Sequence, residues 1–154
     1  MNHYPVCLTK RTLQRLVLWV LLCTAWISCA VAGDIVVIVN KDNPVTAMDP
    51  VQVSNLYLGR SRIFPNGRVA EVIDQPRDAQ VRGQFFKLLN GMSLNTVNAF
   101  WARLSVSGRV LPPLTKSDSL EVLTIVENNP QAIGYVDNAV LPAQKVIAVL
   151  QLHE

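Results

Sequence analysis

Residues 69–91 read VAEVIDQPRDAQVRGQFFKLLNG, and this stretch decides the fold class. Val69 to Ile73 alternates weakly between apolar and polar side chains, which predicts a strand. From Arg77 to Leu89 the period changes. Val81, Phe85, Leu88 and Leu89 recur at i, i+4, i+7 and i+8, one apolar face of a helix. Asn90-Gly91 closes it, because glycine takes the left-handed conformation that ends helices.

Working outward, the same alternation continues on both sides. Upstream, Ile35 to Val39 is a continuous β-branched run bounded by Asn40, Asn43 and Pro44, which predicts a buried strand. Asp49-Pro50 offers an N-cap and a proline at the first helical position. Val53, Leu56 and Tyr57 follow at helical spacing, and Gly59 ends that helix. Arg60 to Arg68 reads as a polar loop with a Pro65-Asn66-Gly67 turn. Downstream, Ser93 caps a helix whose Leu94, Val97, Trp101 and Leu104 share one face. At that spacing Trp101 reads as core, with a ligand-stacking role beside Phe100 as the alternative. Gly108 to Lys116 reads as a loop. Asp118 and Glu121 suggest a capping box for a helix through Glu127, and Ala132–Val136 and Val146–Leu150 as two more strands. The order β-α-β-α-α-α-β-β predicts an α/β domain, a mixed sheet flanked by helices.

The first 32 residues read differently. Lys10, Arg11 and Arg15 precede the apolar block LVLWVLLCTAWI, Leu16 to Ile27, and small residues lead to Ala30-Val31-Ala32 before Gly33. That is the order of a secretory signal peptide with an A-x-A cleavage site. The expected organisation is therefore a signal peptide over 1–32 and a single domain over 33–154, periplasmic or secreted after cleavage. An uncleaved anchor and lipidation at Cys29 are the alternatives.

The leader also explains the net charge of +3. From Leu16 onward eleven basic side chains face eleven acids, so the body is neutral and carries no electrostatic footprint for nucleic acid. Cys7, Cys23, Cys29 and His3 all lie before Gly33, and the other histidine, His153, is penultimate. A chain starting at Gly33 has no cysteine, hence no disulfide, and no Cys/His set for a metal or a nucleophile. Its 122 residues are enough to bury about two-thirds of the extended-chain surface. No catalytic residue, metal ligand or cofactor motif is expected, so the reading is a binding protein rather than an enzyme.

In sheets of this kind ligands sit beyond the carboxyl ends of strands, where helix amides point outward. Three places qualify: Asn40 to Asn43, Asp74 to Asp78, and Thr115 to Ser119. The candidate ligand residues are Gln75, Arg77, Gln80 and Arg82 in the second place and Ser117 in the third. Arg77 and Arg82 could flank a small oxyanion with forked donors. The plainer reading has Asp78 and Glu71 balancing them on a solvated surface.

Three phrases, IVVIVNKDNPVT, VSNLYLGRSRIFPNG and NPQAIGYVDNAVL, stand in an order that resembles the periplasmic phosphate-binding proteins of phosphate ABC transporters, over Ile35 to Leu150. The resemblance implies one lobe of a type 2 periplasmic-binding-protein fold and a solute-binding role. It further implies phosphate or another small oxyanion as ligand, and an ABC permease or membrane sensor as partner. The chain departs from the family in two respects. It has room for one lobe where the family has two, so a homodimer could rebuild the cleft. It also reads Asp74-Gln75-Pro76-Arg77-Asp78 where the family carries a Ser-Gly-Thr loop. A protein-interaction module that kept the lobe and lost the pocket is therefore the second expectation.

Overall fold

The computed structural model describes residues 33–108 and 110–153. The expected signal peptide over 1–32 and all three cysteines lie outside them. The unit Ala32–Glu154 is compact by itself.

β1 (Ile35–Asn40) is buried along its whole length, as a continuous apolar run requires. Its residues alternate between two cores. Ile35, Val37 and Val39 face a large cluster with Leu56, Tyr57, Phe85, Phe86 and Trp101, whereas Val36 and Ile38 face a smaller one with Val122 and Val126. The sheet is thus covered on both faces. One side carries α1 (Pro50–Tyr57), α2 (Gln80–Asn90) and α3 (Leu94–Ser107), and the other α4 (Ser119–Asn128).

Among the described residues five strands form the sheet. The other four are β2 (Glu71–Asp74), β3 (Leu114–Thr115), β4 (Ala132–Asp137) and β5 (Val146–Leu152), in the order β3-β2-β4-β1-β5. β2 runs parallel to β3 and β4, while β1 is antiparallel to both β4 and β5. The expected mixed α/β architecture holds, with one addition. β3 lies inside the stretch read as a loop, because two residues after Pro112-Pro113 leave no periodic trace.

The antiparallel placement of β1 has a consequence for the candidate ligand edges. Its carboxyl end lies opposite those of β2, β3 and β4. Asn40 and Asn43 are both 3% exposed and fully used there. The Asn40 amide donates to the carbonyls of Val126 and Glu127, each at 2.8 Å, and Asn43 to that of Pro130 at 2.9 Å. Asn40 closes the last turn of α4, whose terminal carbonyls have no helical partner, and Asn43 ties down the chain just beyond it.

Three local expectations are corrected. α2 begins at Gln80, not Arg77, because Pro76 to Ala79 form a turn closed by Ala79 N–H on the Pro76 carbonyl at 2.9 Å. The second strand starts at Glu71; Val69 pairs instead with Ile63 across the preceding turn. The reciprocal capping box forms at Asp49 and Gln52. At α4 only half of it exists. Asp118 accepts from Glu121 N–H, while the Glu121 carboxylate reaches past it to Ser117.

Gly134 shows how tightly α4 sits on the sheet. A Cβ there would collide with Val122 Cγ1 and lie 3.2 Å from Val126 Cγ2.

Candidate functional site

The carboxyl ends of β2 and β3 and the start of α2 meet at Asp74. Its carboxylate is 4% exposed and held from three directions. Oδ2 accepts from Arg82 Nε at 2.9 Å, and Oδ1 accepts from the Tyr135 hydroxyl at 2.5 Å and from Gln75 N–H at 2.8 Å. Arg82 is itself 3% exposed. Its Nη1 donates to Asn98 Oδ1 on α3 at 2.8 Å, and its guanidinium lies 5.1 Å from the Phe86 ring centre. A buried cation needs such partners, because desolvation would otherwise dominate.

Neighbouring side chains extend the network. Gln75 Nε2 donates to Ser119 Oγ at 3.1 Å and to the Tyr135 carbonyl at 3.0 Å. The Tyr135 ring stacks on Phe85 with centroids 3.9 Å apart. Burial pushes the Tyr135 hydroxyl well above its ordinary pKa, and the Asp74 charge adds to the effect. Tyr57, hydrogen-bonded to the Ile73 carbonyl at 3.1 Å, is raised by the same two causes in the same order. Both hydroxyls are held as donors.

Above this floor lies a cavity of about 70 Å³, lined by Asp74, Gln75, Arg77, Arg82, Asn98, Trp101, Thr115 and the Pro112-Pro113 pair. Three of the five sequence candidates, Gln75, Arg77 and Arg82, therefore come together. Gln80 is the first residue of α2 and does not line the cavity. Ser117 also stands apart: its N–H and its hydroxyl each donate to Glu121 Oε2 at 2.8 Å, which lowers the Glu121 pKa. The acid balancing Arg82 is Asp74, neither Asp78 nor Glu71. Glu71 instead accepts from Asn129 Nδ2 at 2.7 Å.

Two features near the end of β2 leave donors unused. Arg77 is exposed and has no acid within ion-pair distance among the described residues, while its backbone carbonyl is fixed by Asn98 Nδ2 at 3.2 Å. Ala79, the N-cap of α2, supplies no side-chain acceptor for the first-turn amides. A third donor is buried. Trp101 is 4% exposed, as the core reading expects, yet its indole Nε1 has no acceptor. It is the sole buried side-chain nitrogen or oxygen without a partner among the described residues. The sequence offers Trp101 as a stacking alternative and Thr115 as the start of a separate ligand edge; Asn98 carries no signal, and only tertiary packing joins the three to Asp74.

Neither a protein-family model nor a curated protein matches the sequence. Solved structures do match the fold. An ABC-type phosphate transport receptor from Vibrio cholerae aligns with a TM-score of 0.58 at 20% identity, over 76% of this chain and 46% of its own. The chain has a periplasmic-binding-protein fold. A protein assigned as a phosphate ABC transporter substrate-binding protein, with bound phosphate, from Clostridium perfringens gives 0.56 at 14% identity, over 79% of this chain and 56% of its own. A possible phosphate binding protein from Planctomyces limnophilus gives 0.55 at 13%, over 76% and 41%. This chain spans about half the length of these proteins. These neighbours are binding proteins rather than enzymes.

Proposed function

We propose that this chain is an exported, single-lobe solute-binding module that takes a small oxyanion, phosphate or one like it, in the cavity beyond β2 and passes it to an ABC permease. The observation that carries this reading is one small polar cavity lined by Arg77, whose guanidinium has no acid partner among the described residues, together with Gln75, Asn98 and Thr115. A small oxyanion is the ligand class that an unpaired guanidinium beside neutral polar groups recognises. The likeness to phosphate-binding folds supports the same assignment. Export rests on the leader, and intact mass of the protein from the cell envelope should match a chain beginning at Gly33.

Titrating inorganic phosphate into the Ala32–Glu154 unit tests the reading, because the core of that unit is made from its own residues. Backbone amides of residues 75–82 should shift saturably, and Arg77→Ala should abolish the shift without lowering the melting temperature. Arg82 is unsuitable for this test, since removing it leaves Asp74 short of a partner.

A protein-interaction module without a ligand is the second reading. It is favoured by the Asp74–Arg82 ion pair, which withdraws one of the two arginines from any ligand. Failure of every small oxyanion to shift residues 75–82 would leave that reading in place.

A further inference from the structure

A second, larger cavity adjoins the polar one. It encloses about 360 Å³ between α1, the turn before β2, and the segment leading into β3, and its walls include Leu56, Ala70, Val72, Val110 and Leu114. Trp101, Pro112 and Pro113 line both cavities. The larger one has two charged side chains on its lining, Arg62 and Glu71, of opposite sign. It therefore favours neither cations nor anions and suits an uncharged group.

We propose that the two cavities form one composite site for an organic oxyanion: a phosphate, phosphonate or sulfonate head in the polar cavity, with an apolar substituent in the larger one. This deepens the solute-binding reading and rests on it. The smaller volume holds a head group of phosphate size and little more. Small-molecule sites are usually several hundred Å³, mostly apolar, with a few placed polar groups. The larger cavity has the size and apolar lining of such a site, and the smaller one adds an unpaired guanidinium for a charged head group. The Trp101 indole spans the junction. Its six-membered ring faces the larger cavity, with Cη2 3.0 Å from the position a Cβ on Gly59 would occupy. The same side chain walls the polar cavity. A ligand crossing the junction would lie along the indole and cover apolar surface with the same molecule. Leu111, 79% exposed, and Leu114, 48% exposed, stand where the substituent would cover them.

The test compares inorganic phosphate with phenyl phosphate on the Ala32–Glu154 unit, whose sole tryptophan is Trp101. Phenyl phosphate should bind at least tenfold more tightly. It should quench or shift Trp101 fluorescence and move amides of 70–72, 110, 111 and 114 in addition to those of the 75–82 turn. Inorganic phosphate should move the second group alone. Ala70→Phe fills the larger cavity, and Leu111→Ser, at an exposed position that cannot disturb the core, removes apolar contact. Either change should bring phenyl phosphate down toward the affinity of inorganic phosphate. Equal affinities for the two probes, with inorganic phosphate binding saturably, would overturn the composite site and leave the solute-binding reading intact. Binding of phenyl phosphate that ignores Arg77→Ala, or no binding of either probe, would overturn both.

Discussion

Asp74→Asn is the substitution on which the account of the polar floor depends most. The side chain keeps its size, and its amide oxygen can still accept from Arg82 Nε, now 2.9 Å from Oδ2. What disappears is the negative charge beside a guanidinium that is 3% exposed. Removing one partner of a buried ion pair costs about 3–5 kcal/mol, and the retained hydrogen bond places this case near the lower end. A second loss adds to it. The new NH₂ takes the place of Oδ1, which accepts from Tyr135 and Gln75. The Tyr135 hydroxyl can rotate and accept instead, and the Gln75 backbone N–H keeps only its longer bond to that hydroxyl at 3.3 Å, a loss of about 1 kcal/mol. The expected total is about 4 kcal/mol, a large share of the roughly 5–15 kcal/mol that holds a domain folded. With a urea slope of about 2 kcal/mol per molar, the unfolding midpoint of the Ala32–Glu154 unit should fall by about 2 M. Arg82→Met should cost less, about 3 kcal/mol, because Asp74 then retains two donors. The double variant should cost clearly less than the sum of the two. A loss below about 1 kcal/mol for Asp74→Asn, or simple additivity, would refute the view that a desolvated ion pair forms this floor.

Gly134→Ala should destabilise by about 1–3 kcal/mol in the same urea assay, because its methyl enters the space of Val122 and Val126; a neutral result would mean that α4 sits loosely on the sheet. Trp101→Ala should cost about 3–5 kcal/mol, whereas Trp101→Phe, which removes the unpartnered N–H, should cost less than about 1.5 kcal/mol. Similar losses for the two would show that the indole N–H has a partner in solution. The raised hydroxyls of Tyr57 and Tyr135 predict that stability holds up to about pH 10 and falls above it. There the unfolded chain releases phenolic protons that the folded chain still binds. Melting curves between pH 8 and 11 check this, and Tyr57→Phe should flatten the decline.

The parts of the fold that were legible in the sequence are those carried by local signals. Ile35–Val39 announced a strand buried on two faces, Asp49-Pro50 a helix start, and Asn90-Gly91 a helix end with Gly91 at φ 71°. What stayed hidden depends on partners remote in the chain. β3 exists through pairing with Ile73 and Asp74, about forty residues earlier. The direction of β1 is set by β4 and β5, so no local pattern could move Asn40 and Asn43 to the far edge of the sheet. At the site, Gln75, Arg77 and Arg82 were within reach because one strand-to-helix turn carries them. Asn98 and Tyr135 were not, because α3 and β4 bring them in; Trp101 and the edge starting at Thr115 were legible singly, but only tertiary packing joins them to Asp74.

The differing fates of Arg77 and Arg82 follow from where α2 begins. On a helix starting at Arg77 both would lie in its opening turns and could face one ligand. The turn from Pro76 to Ala79 instead leaves Arg77 outside the helix and makes Arg82 the third helical residue. Helical side chains tilt toward the N-terminus, so Arg82 is directed back at the end of β2, where Asp74 meets it. Arg77, on the turn, is pinned by its carbonyl while its guanidinium stays in solvent. One arginine thus builds the floor of the cavity and the other is left at its mouth. The division also separates the experiments: a change at Arg82 reads out in stability, a change at Arg77 in binding, so a lost phosphate response can be told apart from a lost fold.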